Sequence, residues 1–502
     1  MPQDLSPATP FQTAAFDNSY ARLPERFFTR LPPTPVAGPA LIKANHGLAD
    51  LLGLDAEALE SEAGVAMLAG NTLPPGADPL AQVYAGHQFG GWSPQLGDGR
   101  AILLGEIVGK DGIRRDIQLK GAGPTPYSRS ADGRAALGPV MREYIISEAM
   151  YALGIPTTRS LAAVTTGEAV RRETALPGAV LTRVAQSHIR VGTFQFFAGK
   201  GDVEALRALA DHVIARHYPE TAEAEHPYAA MLEGGVIRQA ALVAQWMLVG
   251  FIHGVMNTDN MQIAGETIDY GPCAFMDEFH PGRVYSSIDQ QGRYAYGNQP
   301  SIAQWNLAQL AQALLPILAD DQEEAIRQAQ SIIDSFPKRF EAAFTEGLRA
   351  KLGLFSADDG DLALAQNLLT AMTTGEADFT LTFRWLANVI DGQNLEAQNP
   401  RFLFNDPALF EDWLALWAAR AEREDVAPAD RAAAMRAVNP LYIPRNHLVE
   451  EAIRAGEDEG DFAPMQALLA VLAHPFDDQT DVSRYALGPL PEQVVPRTFC
   501  GT

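Results

Sequence analysis

Apolar positions along this chain change their rhythm at about residue 193, from short alternating blocks to helical spacing. Arg100 to Val108 alternates and branches like a strand, and after the turn Gly109-Lys-Asp-Gly112 the segment Ile113 to Lys120 reads as its antiparallel partner. Thr158 to Thr166 and Gly178 to Val184 read as further strands, with an apolar-periodic helix, Pro139 to Leu153, before them. Beyond the change of rhythm the spacing predicts helices over Asp202 to His217, Gly235 to His253, Ile302 to Leu318, Asp321 to Ser335, Leu362 to Met372 and Pro407 to Ala421. The Gly235 to His253 stretch is apolar enough to be buried all round, and Ser301 and Asp320 are candidate N-caps. Asp378 to Val389 is aromatic-rich and reads as core. Residues before about 80 are Pro-rich, with helices expected at Gly47 to Leu54 and Ala56 to Ala69, and read as a wrapping extension. The tail from Tyr485 is Pro-rich and extended. The fold class is therefore α+β, a strand-rich half followed by a helical half.

Composition narrows the partners. At 502 residues two or more domains or lobes are expected, and a 47% hydrophobic, 20% charged chain is an ordinary folded one. Thirty-eight basic against 62 acidic side chains leave a formal charge of -24, which disfavours nucleic acid and anionic membrane surfaces as partners. Any nucleotide site must gather Lys and Arg locally against that background. The strongest apolar run, Ala240 to Ile252, is too short to span a bilayer, and the N-terminus carries no export pattern. With only two cysteines, Cys273 and Cys500, a cytoplasmic location and a monomer are the simplest expectations.

Candidate chemistry centres on Phe251 to Pro272, FIHGVMNTDNMQIAGETIDYGP, which puts His253, Asp259, Asn260 and Asp269 on a loop after an apolar run. Asp and Asn oxygens suit Mg²⁺, which takes one or two protein ligands and fills its shell with phosphate and water. The spacing follows the protein-kinase pattern H-R-D-L-x-x-x-N then D-F-G, with Asn260 seven residues after His253 and Asp269-Tyr-Gly271 in place of D-F-G. Val255 stands where a kinase has its catalytic Asp, and valine cannot accept a proton; Asp259 is a candidate displaced base. The loop also reads as a run of turn-formers. Upstream, Gly97 and Gly99 flank Asp98 in YAGHQFGGWSPQLGDG, a turn that lets backbone N–H groups approach phosphate or simply turns tightly. Lys120 ends the second strand, and Glu143 rather than Glu148 is its candidate helix partner. Arg100, Arg183 and Arg190 would make a phosphate clamp if they faced that turn, and surface charge if they did not. His188, His212, His217 and His253 lack metal-ligand spacing and read as structural.

The order Gly-rich turn, strand Lys, helix Glu, loop Asn and D-x-G Asp is that of a protein kinase. The blocks YAGHQFGGWSPQLGDGRAILLGE, QLKGAGPTPYSRSADGRA, REYIISEAMYALGIPTTR, LTRVAQSHIRVG and HGVMNTDNMQIAGETIDYGP together resemble the selenoprotein O family, also called YdiU. That resemblance implies a protein-kinase-like bilobal fold: an extension over 1–80, an N-lobe over 81–192, a helical C-lobe over 193–484 and a tail over 485–502. It implies transfer of AMP from ATP to Ser, Thr or Tyr hydroxyls of proteins, with pyrophosphate released and the nucleotide lying reversed. The family's nucleotide contacts fall on Gly97, Gly99, Arg100, Lys120, Asp132, Gly133, Arg183, Arg190 and Asp269. Its Mg²⁺ or Mn²⁺ ligands fall on Asn260 and Asp269, its base on Asp259 and its lysine partner on Glu143. Asp98 in the turn would repel a γ-phosphate placed beneath it, in keeping with the reversal. The C-terminal cysteine points to a redox disulfide between Cys273 and Cys500, the alternative being two unrelated buried thiols. An orthodox kinase and a non-catalytic pseudokinase scaffold, the latter suggested by Val255, are the rival readings.

Overall fold

The structure is a computed structural model that describes residue 11 and residues 15–391 and 398–499. Strands β1 (Phe28–Arg30), β2 (Ala40–Ala44) and β3 (Leu80–Gln82) precede a separate two-stranded ribbon, β4 (Gly86–Gln88) and β5 (Gly91–Ser93). The first three join β6 (Ala101–Val108), β7 (Arg114–Lys120), β8 (Ala135–Ala136), β9 (Arg159–Arg171) and β10 (Ala175–Ala185) in one antiparallel sheet. Its order is β1-β3-β6-β7-β10-β9-β2, with β8 beside β10. The sequence places β6 and β7 correctly, and β9 and β10 run several residues past the expected ends. Residues before 80 supply both edges of the sheet, β1 and β2.

The period of two explains the sheet's two faces. Ile102, Leu104, Ile117, Leu119, Val180 and Val184 point to one side and pack on α1 (His46–Leu52), α2 (Ala56–Leu59) and α3 (Glu62–Leu68). Each such side chain, fully buried, contributes roughly 2 kcal/mol. Expected as one helix, Ala56 to Ala69 is broken because Ser61 starts a new one, its hydroxyl accepting from Gly64 N at 3.1 Å. On the opposite face the same register sets Asp116, Gln118 and Lys120 of β7 beside Arg183 of β10, which pairs with Gln118. All four are buried.

Helix α4 (Leu137–Ala152) lies against β9 and β10. The helical half runs through α5 (Val191–Gly199), α6 (Val203–His217), α7 (Pro227–Leu248), α8 (Gln299–Leu318), α9 (Gln322–Asp334) and α10 (Phe336–Lys351). It ends with α11 (Asp361–Gly375), α12 (Phe379–Ile390), α13 (Pro407–Ala421), α14 (Pro428–Val438), α15 (Asn446–Arg454) and α16 (Ala463–Leu472). Helix α7 stops before the expected His253 because Gly250 takes φ +72, a left-handed stop, and Phe251–Ile252 becomes strand β11, paired with β12 (Ala274–Phe275). The N-cap expected at Asp320 falls on Asp321, and α8 starts at Gln299, ahead of Ser301. Helices α15 and α16 close over the far side of α4, where Gly138 N donates to Glu457 Oε1 at 3.0 Å and Arg142 pairs with Glu450 at 3.4 Å. The helix carrying Glu143 is thus held from both sides.

Candidate functional site

A cavity of about 520 Å³ opens between the polar face of the sheet and the loop from Val255 to Pro272. Gly97, Gly99, Arg100, Lys120, Asp132, Gly133, Arg183, Arg190, Asp259, Asn260 and Asp269 all line it. Glu143 stands behind Lys120. Its carboxylate accepts from Lys120 Nζ through Oε2 and from Arg183 Nε through Oε1. Burial alone would raise the Glu143 pKa, yet Arg183 and Lys120 hold it below the usual range. Burial, with Arg183 alongside, pulls the Lys120 pKa down, and Glu143 opposes that.

Asp269 has φ +66, a conformation that costs a non-glycine residue about 1–3 kcal/mol. Two arginines hold it there: Arg183 Nη2 donates to Oδ1, and Arg190 Nη1 donates to Oδ2 at 2.7 Å. Against burial, Arg183, Arg190 and Lys120 keep the Asp269 carboxyl well below its ordinary pKa, so it stays ionised. Burial pulls the pKa of both arginines down as well, but Glu143 and Asp269 around Arg183, and Tyr84 and Asp269 around Arg190, leave both above the ordinary value. Arg190 Nη1 also donates to the Asp259 carbonyl at 2.6 Å and its guanidinium lies 4.7 Å from the Tyr84 ring centroid, tying sheet, loop and cavity wall together.

On the loop, Asn260 Nδ2 donates to Val255 O at 3.0 Å, which fixes the amide and leaves its Oδ1 available as a ligand. Burial pushes the Asp259 carboxyl up to about 6, partly offset by Arg190. Its Oδ2 accepts from Gln88 Nε2 at 3.2 Å, while buried Oδ1 has no hydrogen-bond partner among the described residues. Among the described residues no group of three or more His, Cys, Asp or Glu is arranged to hold a metal ion. A cation here would rest on the two hard oxygens of Asn260 and Asp269 with a polyphosphate and water, a donor set that suits Mg²⁺ or Mn²⁺.

The glycine turn is less simple than its sequence. Gly97 has φ +141, and a Cβ on it would stand 2.5 Å from the Tyr127 ring; one on Gly99 would stand 2.9 Å from Tyr127 O. These glycines admit the protein's own Thr125 to Ser128 segment, whose Thr125 Oγ1 donates to Asp98 O at 2.8 Å. Asp98 itself accepts from Gln82 N at 3.0 Å and Gln118 Nε2 at 3.3 Å, and burial raises its pKa. It is therefore a weaker source of phosphate repulsion than an exposed aspartate in a turn. Asp132 accepts from Arg134 N and pairs with Arg172 at 2.9 Å. Arg129, Arg134 and Arg172 extend the positive lining, which totals seven cations against four aspartates. The sequence reading missed Tyr84, Gln88 and these outer arginines; Tyr84 and Gln88 lie inside a stretch read only for its glycines.

Of the histidines read as structural, His253 Nε2 meets Ile268 O at 2.9 Å and His188 Nδ1 meets Asp116 at 2.9 Å, both buried, whereas Nε2 of His188, His212 and His217 is buried without a hydrogen-bond partner among the described residues. Cys273 is buried four residues after Asp269. Its expected partner, Cys500, lies outside the described residues. The tail reaches this region nonetheless, since Thr498 Oγ1 donates to Pro272 O at 2.6 Å and Thr498 N to Tyr285 O at 2.8 Å.

Comparison with known proteins gives the family. The family model described as protein adenylyltransferase SelO matches residues 10–473. The chain belongs to the SelO family. It is similar to the protein nucleotidyltransferase YdiU of Bradyrhizobium diazoefficiens, 62% identical over 487 residues, covering 97% of this chain and 99% of that one. The proteins of the same description from Rhodopseudomonas palustris and Methylorubrum extorquens are each also 62% identical, with 97% of this chain and 99% of theirs covered. This SelO-family chain is accordingly an enzyme of the nucleotidyltransferase class. No helix among its described residues is long and apolar enough to cross a membrane.

Proposed function

We propose that this nucleotidyltransferase carries AMP from ATP to Ser, Thr or Tyr hydroxyls of other proteins, on a kinase-like fold of two lobes over 81–192 and 193–484. The observation that carries this reading is the buried charge system of Lys120, Arg183 and Arg190 around Glu143 and Asp269, set in a chain of charge -24. Two arginines held ionised and a lysine paired with Glu143, in a cavity of about 520 Å³, suit a triphosphate in so acidic a protein. Lys120, Arg183, Arg190 and Arg100 bind phosphates, and Gly97, Gly99, Asp132 and Gly133 shape the wall along the nucleotide. Glu143 keeps Lys120 and Arg183 aimed into the cavity. Asn260 and Asp269 would hold Mg²⁺ or Mn²⁺, with phosphate oxygens in place of Asp269 as partners of Arg183 and Arg190. Bound there, the ion supplies charge neutralisation at the reacting phosphate.

With the nucleotide reversed, the α-phosphorus lies toward the loop. The acceptor oxygen bonds to it as the bond to the bridging oxygen of the β-phosphate breaks, and pyrophosphate leaves. The acceptor proton passes to Asp259, which lines the cavity and whose carboxyl burial pushes up to about 6. Catalysis is then positioning plus charge stabilisation. Chelation of divalent ions abolishes the transfer, and added Mg²⁺ or Mn²⁺ restores it. In the tail, Cys500 pairs with Cys273 under oxidising conditions, seen as a loss of two hydrogens in intact mass without reductant.

The Lys120–Glu143 pair also favours an orthodox kinase, so the deciding experiment follows the label. Transfer from α-labelled but not γ-labelled ATP, with pyrophosphate released, supports the AMP reading. Transfer of the γ label alone makes the protein a kinase. Absence of both under every metal condition makes it a scaffold.

A further inference from the structure

The stretch from Tyr84 to Ser93 stands out in the sequence for its glycines, yet what it builds is the β4–β5 ribbon, separate from the main sheet. Three consecutive ribbon residues hold three consecutive residues of the 257–259 loop. His87 N donates to Thr258 Oγ1 at 2.7 Å, Gln88 Nε2 to Asp259 Oδ2 at 3.2 Å and Phe89 N to Asn257 Oδ1 at 3.0 Å. Asn257 Oδ1 is held again by Tyr294 OH at 2.6 Å. Gly86 is in the ribbon because a Cβ there would collide with Asp259 Oδ1. Phe89 sits at φ +52, a strained value for an aromatic residue, with its ring edge-on to Tyr294 at 5.2 Å.

The consequence for Asp259 is specific. Its carboxylate has one side-chain hydrogen bond, from Gln88, on Oδ2, and its Oδ1 is buried and unpartnered among the described residues. An aspartate χ2 is a broad, roughly two-fold torsion, and the Gln88 amide is the side-chain donor that sets it here, with Oδ1 packed against Gly86. Gln88 and Asp259 both line the cavity, so the fixed oxygen borders the space in which a substrate would react.

The geometry points to Gln88 as a positioning residue: its amide fixes Oδ2 of Asp259, the oxygen not sealed against Gly86, so that the remaining lone pair of Oδ2 is aimed at the acceptor hydroxyl, with the β4–β5 ribbon as the splint of the loop. This rests on Asp259 being the proton acceptor proposed above. Gln88 touches neither the phosphate-binding cations nor the Asn260 and Asp269 oxygens, so it acts on the chemical step rather than on nucleotide binding.

The test uses the full-length protein with α-labelled ATP, Mg²⁺ and a protein acceptor. Gln88→Ala removes the donor, and Gln88→Glu keeps the shape while replacing the amide donor. Both are expected to lower kcat about tenfold or more, since a misplaced catalytic group can lose about a hundredfold, with KM for ATP within about twofold. Amide hydrogen exchange is expected to speed up over 257–260 and to stay unchanged across the main sheet, a readout that needs no turnover. Wild-type kcat in both variants, or unchanged exchange over 257–260, overturns the proposal. If wild-type protein transfers no label, the functional reading fails while the exchange result still decides whether the ribbon splints the loop.

Discussion

The two faces of the main sheet come from the same strands and the same alternation, yet they do opposite work. On one, Ile102, Leu104, Ile117 and Leu119 meet α1, α2 and α3 in a dry core. On the other, Asp116, Gln118, Lys120 and Arg183 are just as buried but polar, and each needs a charged or hydrogen-bonding partner from elsewhere in the chain. Glu143 comes from α4 and Asp269 from the loop. The dry face is satisfied by any apolar neighbour of the right volume, because burial has no direction. The polar face is satisfied only by particular atoms, because a buried charge left alone costs several kcal/mol. Stability is concentrated on the first face, and the proposed chemistry on the second.

The sharpest way to separate them is Asp269→Ala, which removes the carboxylate between Arg183 and Arg190 and with it a proposed metal ligand. AMP transfer is expected to fall by about a thousandfold or more, measured with α-labelled ATP. Lys120→Met comes next, with a loss of about a hundredfold, while Arg183 keeps Glu143 paired and thermal unfolding changes little. On the dry face, Leu119→Ala is expected to cost about 2–5 kcal/mol in denaturant unfolding and to leave kcat per folded molecule within about twofold. Full activity in Asp269→Ala, or lost turnover in folded Leu119→Ala, would break the division between the faces.

The smallest effect sharpens the rule on buried charge. Lys351 is buried like Lys120, but its neighbours are Phe379 and Phe383, with Nζ 4.4 Å from the Phe383 ring, and burial pushes its pKa down to about 7. The unfolded chain binds that proton up to the ordinary value of 10.5, so between about 7 and 10.5 it holds more protons than the folded one. Relative to a neutral side chain Lys351 therefore destabilises the fold most below pH 7, and that penalty is lifted progressively as pH rises to 10.5, so unfolding free energy rises with pH across that window. Lys351→Met is expected to stabilise the protein at neutral pH and to flatten this rise, read from denaturant midpoints at pH 7 and 9. An unchanged midpoint at both would mean that the ammonium is solvated in place.

Much of the site was legible in the chain. The strand lysine, the helix glutamate and the loop Asn and Asp follow from period, spacing and residue type, and the glycines, cations and carboxylates expected along the nucleotide do line one cavity. The roles of the glycines were harder to see. Gly97 and Gly99 admit the Tyr127 segment, which is distant enough in sequence that no local pattern announces it. Gln88 was hidden for the same reason, since a glutamine beside a glycine-rich turn carries no periodic signal.

The sequence by itself determined which strands alternate, where the helical half begins, and which residue types could bind phosphate and metal. These are local properties, set by side-chain spacing of two or about 3.6 residues and by the chemistry of each group. Tertiary structure alone decided that Gln88 would reach Asp259 across 171 positions, and that Arg183 and Arg190 would hold a left-handed Asp269 between them. It also decided that α15 and α16 would close over the helix carrying Glu143. The directions of hydrogen bonds between distant segments depend on where the sheet, the ribbon and the loop come to rest, and that follows from the packing of the whole chain.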